Sequence, residues 1–316
     1  MKPFVARAKR ICLALTMSVW ASGTFTQQRP LTRHFAALSE ERYQLMLSLK
    51  AESHSVTTET VAAQTYVTPV VHAAEVTLHW RAERKILSVQ DDGSATIEET
   101  LVPASQQCED ALPSEKTDAA LQSSLKAFCT SWLKAGIIRY TENKSGALRD
   151  VRLSASENAL PPLAETAPPL LSLWLKRAVR PNAIFPQLPF EIGATSQQSF
   201  QPASNLLKNA RGSETTEWLD AEGETPAARL HVVQQLVWSA APPAVRVESR
   251  ESQTQKDESF FADSISTVSL QDGSLLQANR SASRTTSRHL DPVPGLPRPP
   301  EFSSKLTLTI TIERLP

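Results

Sequence analysis

The residues that could do chemistry here are six histidines, two cysteines beyond the leader, two adjacent aspartates and a spaced run of arginines. His34, His54, His72, His79, His231 and His289 are scattered, and none forms H-E-x-x-H or a similar ligand cluster. A metal or general-base role would need the fold to bring two of them together. No G-x-S-x-G elbow is present, which argues against an α/β-hydrolase nucleophile. Ser94 and Ser274 each follow Asp-Gly, where serine is ordinary turn chemistry. Asp91 and Asp92 resemble the start of a calcium loop, but the further oxygens and terminal glutamate are missing. No glycine-rich phosphate loop occurs. Arg280, Arg284 and Arg288 fall on one side of an extended strand. They read as a solvated outer face, with an anionic partner or lipid headgroup as the alternative. This set yields no catalytic residue, metal site or cofactor, so a noncatalytic protein is expected.

Trp80, Trp132, Trp174 and Trp238 lie on the apolar faces of predicted elements. They are core residues, or they line an apolar cavity if a sheet curls without filling itself. That makes them the candidate ligand-binding residues. Cys108 and Cys129 are an even pair, and an oxidising compartment would favour a disulfide between them. Such a bridge would stabilise the fold by roughly 3 kcal/mol; two unrelated buried thiols are the alternative.

That compartment is itself an expectation from the first 23 residues. Lys2, Arg7, Lys9 and Arg10 precede a short apolar run from Ile11 to Val19, and small residues follow at Ala21, Ser22 and Gly23. This is the layout of a secretory signal, and the apolar run is short for a bilayer span. No later stretch approaches ~20 apolar residues, so no stable span is expected after cleavage. Periplasmic or secreted localisation follows. The formal charge of the whole chain is zero. Removing four basic residues leaves the remainder mildly acidic, a poor match to nucleic acid.

These residues must be positioned by elements, and the dominant pattern has a period of two. Hydrophobic residues make up 41% of the 316, enough for a core, and prolines outnumber glycines 22 to 9. That balance suits strands joined by proline-marked loops. Alternation begins at Tyr43 and is cleanest in Leu306, Leu308, Ile310 and Ile312. Asp-Asp-Gly at 91–93, Asn-Lys-Ser-Gly at 143–146 and Asp-Gly at 272–273 mark hairpins. Residues 51–68, rich in Thr, Ser and Ala, read as loop. Leu121, Leu125, Phe128 and Trp132 recur at helical spacing behind Thr117 or Asp118 as cap. A second short helix opens at Pro168-Pro169. The predicted fold is mainly β: a long antiparallel curved sheet or half-barrel meander with two short helices. The predicted organisation is a signal at 1–23, a flexible leader at 24–40 and one domain over 41–316.

The segments ERYQLMLSL, VQDDGSATIEE, LPFEIG and KLTLTITIE together resemble exported bacterial proteins of unknown function with a lipoprotein-carrier-like half-barrel. The resemblance implies a curved sheet that handles a lipid or another apolar small molecule, and it assigns no binding residue. The cysteine pair, second helix and proline-rich loop at 291–300 are not part of that pattern. Two functions follow as expectations: binding of an apolar or lipid-like ligand within the sheet, or an envelope interaction and scaffold role through sheet edges or the proline loop.

Overall fold

Strands whose side chains alternate in polarity bury their dry face only by pairing into a sheet that something else covers. The computed structural model describes residues 30–61, 64–103, 109–110, 117–132, 137–153, 169–200, 210–220, 226–240, 255–289 and 301–316. Among them are twelve strands: β1 (Glu40–Val61), β2 (Gln64–Val89), β3 (Ala95–Pro103), β4 (Glu109–Asp110), β5 (Ile137–Glu142), β6 (Leu148–Leu153), β7 (Thr195–Phe200), β8 (Arg211–Asp220), β9 (Ala227–Ala240), β10 (Gln255–Ser269), β11 (Leu275–His289) and β12 (Glu301–Leu315). Two helices accompany them, α1 (Ala119–Trp132) and α2 (Pro169–Ala178). Neither is long and apolar enough to cross a membrane.

One curved, unclosed antiparallel sheet holds all twelve strands. Its order is β6-β5-β3-β2-β1-β12-β11-β10-β9-β8-β7, with β4 beside β2. The mainly β, antiparallel architecture is therefore the one the period of two predicts. The sheet is two meanders sharing a central seam, where β1 pairs β12 from Arg42↔Leu315 to Ser55↔Phe302. The described residues of the stretch 51–68, which are 51–61 and 64–68, are strand and not loop. They are the far part of the β1–β2 hairpin, paired residue for residue as far as Val61↔Gln64. The β-branched Val56, Thr57, Thr58, Thr60 and Val61 favour extended backbone more than the polar composition favours a loop.

Parity sorts the faces. Tyr43, Leu45, Leu47 and Leu49 of β1, Val76, Leu78 and Trp80 of β2, and Leu308, Ile310 and Ile312 of β12 are buried in one cluster. The chain then has to travel from edge strand β6 to the opposite edge, β7. The described part of that crossover, residues 169–194, lies over the buried face. Leu171, Leu175, Ala178, Val179, Ala183 and Phe185 join the same cluster. Phe185 stacks on Trp218 of β8 at 6.3 Å between ring centres, and Phe190 meets that indole edge-on at 5.1 Å. Each buried Leu or Phe contributes roughly 1.5–3 kcal/mol, so packing holds the crossover down. Near β2, α1 is capped by Asp118, whose Oδ1 accepts from the Leu121 N–H at 2.9 Å. Leu125 turns into the core.

Three tight turns gather at one end of the sheet. In each, an Asp or Asn Oδ1 accepts from the N–H and Oγ of a serine two residues on: Asp92 with Ser94, Asn143 with Ser145, Asp272 with Ser274. Bulges at Ile86/Ser88, Arg139/Thr141 and Thr267/Val268 lie beside these turns and add local twist. Residues 30–39, the described part of the expected flexible leader, are tied down across this end. The Arg33 N–H donates to Lys144 O at 2.8 Å and the His34 N–H to Asp272 O at 2.8 Å. The expected signal at 1–23, the side chains of the Cys108–Cys129 pair and the loop at 291–300 lie outside the described residues.

Candidate functional site

The two halves of the sheet present different side chains to the crossover. Along β1, β2 and β12 the inward rungs carry large aliphatic residues. Across β8, β9, β10 and β11 successive rungs read Trp218, Leu230, Ser266, Ala278; then Thr216, Val232, Ser264, Arg280; then Glu214, Gln234, Ala262, Ala282; then Gly212, Leu236, Phe260, Arg284. Serine, threonine and alanine at the centre of this grid leave volume that aliphatic side chains would fill. The result is a pocket of about 400 Å³ between this half-sheet and the crossover. That size lies within the range of small-molecule sites. Leu230, Val232, Leu236, Phe260 and Ala262 form its apolar floor, and Trp174, Ile184 and Pro186 its roof. Phe200 of β7 lies over Gly212, where an added Cβ would meet the ring at 2.5 Å; glycine at that position lets the ring rest on the backbone.

Polar groups enter this apolar setting at defined points. Glu214 accepts from Gln198 Nε2 at 2.7 Å and Gln234 Nε2 at 2.6 Å. Arg280 donates to the carbonyls of Ala178 and Arg180 at 2.8 and 2.9 Å and to that of Asn182. These carbonyls belong to the end of α2 and the segment after it, so one guanidinium pins the crossover to β11. Burial lowers the Arg280 pKa to about 10, which still leaves it charged at neutral pH. The outer solvated face expected for the arginine run is thus corrected for Arg280 and Arg284; the side chain of Arg288 lies outside the described residues. Arg280 shares the inward parity of Ala278 and Ala282, and Arg284 is largely buried with Glu258 at 2.6 Å.

Beside the pocket, toward the turn end, lies a buried ionic layer. Arg84 is 1% exposed. It donates to Glu41 Oε2 at 2.8 Å, Tyr140 Oη at 3.0 Å, Pro181 O at 3.0 Å and Glu142 Oε2. Arg33 pairs with Glu41, while Tyr140 and Arg180 each donate to Glu99 at 2.7 Å. Burial raises the Glu142 pKa against the opposing pull of Arg84. Burial opposes ionisation of Glu41 too, but Arg84 and Arg33 outweigh it and hold that carboxyl below its ordinary value. Three cations and three carboxylates are thereby matched, and Arg280 stands apart from them with carbonyl partners only. The layer is structural: its members bond one another and fix the crossover, through Pro181, to β2.

Of the four tryptophans singled out by sequence, Trp174 lines the pocket. Trp80 is buried in the core, with an Nε1 that has no partner among the described residues. The side chains of Trp132 and Trp238 lie outside the described set. Trp218, Phe260, Glu214 and the inward arginines were not legible as site residues from residue type. Strict parity was the available signal, because Arg84 is in phase with Ala82 and Ile86. Among the described residues no three His, Cys, Asp or Glu side chains gather as a metal site.

No family model matches the chain, and no curated protein matches it. Among solved structures, one described as lipid-protein interactions in lipovitellin is 10% identical, covering 87% of this chain and 26% of that one, with a TM-score of 0.30. The InvG secretin domain β-barrel from the Salmonella SPI-1 injectisome is 9% identical, covering 90% of this chain and 62% of that one, with a TM-score of 0.16. The chain thus spans about a quarter of the lipovitellin chain and under two thirds of the secretin one. Both likenesses are too loose to carry a functional argument.

Proposed function

We propose that this chain is an exported, noncatalytic protein that binds an apolar or lipid-like ligand in the pocket between β8–β11 and the crossover. The observation that supports the reading is the asymmetric filling of the buried face. One half is packed with aliphatic side chains, while the other sets small residues beneath an apolar roof. Tight packing is the rule in protein interiors, so a hollow of this size with an apolar lining is the default ligand site. The periplasm or the extracellular space is the proposed location, resting on the basic and apolar start of the sequence.

Native mass spectrometry of the purified chain should show co-purifying lipid, and fatty acids should displace a bound fluorescent probe. Ala262→Trp, which fills the floor beside Gln234, should abolish probe binding while far-UV circular dichroism keeps its β signature. Absence of bound lipid together with no displacement by any fatty acid would overturn the reading. A scaffold role draws support from edge strand β7, whose six residues are all exposed and carry neither charge nor proline. Unchanged recovery of an envelope partner after lysine substitution at Ser196 and Ser199 would count against that role.

A further inference from the structure

We infer that the pocket selects an amphipath with an anionic head, and that Arg280 is the group that receives the head. This rests on the pocket being the ligand site. Arg280 is 7% exposed, lines the pocket and has no carboxylate within ion-pair distance among the described residues. Of the other arginines on the inward face, Arg33, Arg84, Arg180 and Arg284 are paired with a glutamate, and Arg314 donates to the Ser274 hydroxyl at 2.6 Å, away from the pocket. A guanidinium offers five N–H donors, and the carbonyl bonds of Arg280 engage three of them, two from Nη1 and one from Nη2. A buried cation satisfied only by neutral dipoles is an incomplete arrangement, because the field of the charge is left without a counter-charge. A carboxylate or phosphate ester arriving in the pocket supplies one.

The neighbourhood fits that assignment. Ser264 faces Arg280 across the β10–β11 pair and lines the same pocket, so its hydroxyl is a second donor beside the guanidinium. Arg177 of α2 also lines the cavity and adds positive potential at an exposed position. The pocket's one lining carboxylate, Glu214, is three strands away on β8, about 14 Å by strand spacing. It is already held by two glutamine amides. An anionic head is therefore directed to the β11 side, with its chain along Val232, Leu236 and Phe260.

Probe displacement on the full chain separates this inference from the proposal beneath it. Hexadecanoic acid, hexadecyl phosphate and hexadecanol are compared below their micellar concentrations. The acid, the phosphate or both should displace the probe at a concentration about ten- to a hundredfold lower than the alcohol, and whichever is stronger identifies the head. Arg280→Gln should bring the anions to the level of the alcohol, and displacement of the probe by the alcohol in that variant shows that a pocket remains. Arg280→Lys should keep part of the preference, and it stands in if the glutamine variant fails to fold. Equal displacement by anions and alcohol in the unmodified chain overturns the assignment and leaves the apolar pocket standing. Retained preference in Arg280→Gln does the same for Arg280. Failure of all three amphipaths removes both readings.

Discussion

Arg84→Met tests whether the buried ionic layer holds the crossover onto the sheet. Methionine keeps an unbranched apolar stem and deletes a guanidinium that bonds Glu41, Glu142, Tyr140 Oη and the Pro181 carbonyl. Glu41 keeps Arg33 as a partner. Glu142 loses its ion pair and stays buried at 2% side-chain exposure. Breaking a buried pair from one side costs roughly 3–5 kcal/mol, and stranding the Pro181 carbonyl adds about 1 kcal/mol. Protonation limits the loss, because burial already raises the Glu142 pKa. The expected destabilisation is therefore about 3–4 kcal/mol, read as a lower urea midpoint at constant slope. Arg84→Met combined with Glu142→Leu should recover at least half of it, since a matched apolar replacement leaves less buried charge behind. A loss under about 1 kcal/mol, or a double variant no more stable than the single one, would refute the reasoning.

Gly146 has φ of +78° and an added Cβ would lie 1.8 Å from Ala183 O, whereas Gly193, at +83°, has open space around that position. Gly193→Ala should then show only the left-handed backbone cost of about 1–2 kcal/mol, and Gly146→Ala distinctly more; equal urea midpoints would remove the contact from the account. The lowered Glu41 pKa contributes stability that is present above the ordinary carboxylate value and is lost as pH falls below it through the lowered folded-state value. Glu142, raised by burial, acts in the opposite sense. Glu41→Gln should lower stability at pH 7 and flatten the loss as pH falls below the ordinary carboxylate range, and an unchanged acid slope in midpoint measurements would count against this. Asp118→Ala should cost about 1 kcal/mol through the lost α1 cap, detectable as faster hydrogen exchange at Leu121.

Much of the architecture could be read from alternation. Leu306 to Ile312 announced β12, and Asp92-Gly93 and Asp272-Gly273 announced turns, because period and turn chemistry are local. Local composition misled at 51–68, where ladder pairing with a partner of equal length outweighed a polar sequence. The seam between β1 and β12 joins residues roughly 250 to 270 positions apart, and nothing local encodes it. The site was harder. Glu41, Arg84, Glu99, Glu142 and Arg280 all sit in phase with apolar neighbours, so parity placed them inside while residue type argued for the surface. The hollow itself depends on summed volumes at Ser264, Ser266 and Ala262 against Trp174 across the fold, a quantity no single segment contains.

The position of β12 has a consequence for how the molecule is made. A ribosome delivers β1 first and β12 after every other strand, yet the two are neighbours at the centre. A folding chain whose β12 has not yet docked leaves β1 and β11 with open flanks of unpaired amides that invite association with other chains. Such a chain has reason to be kept apart from its copies until it has folded, and losing β12 would leave two sticky sheet flanks on one polypeptide.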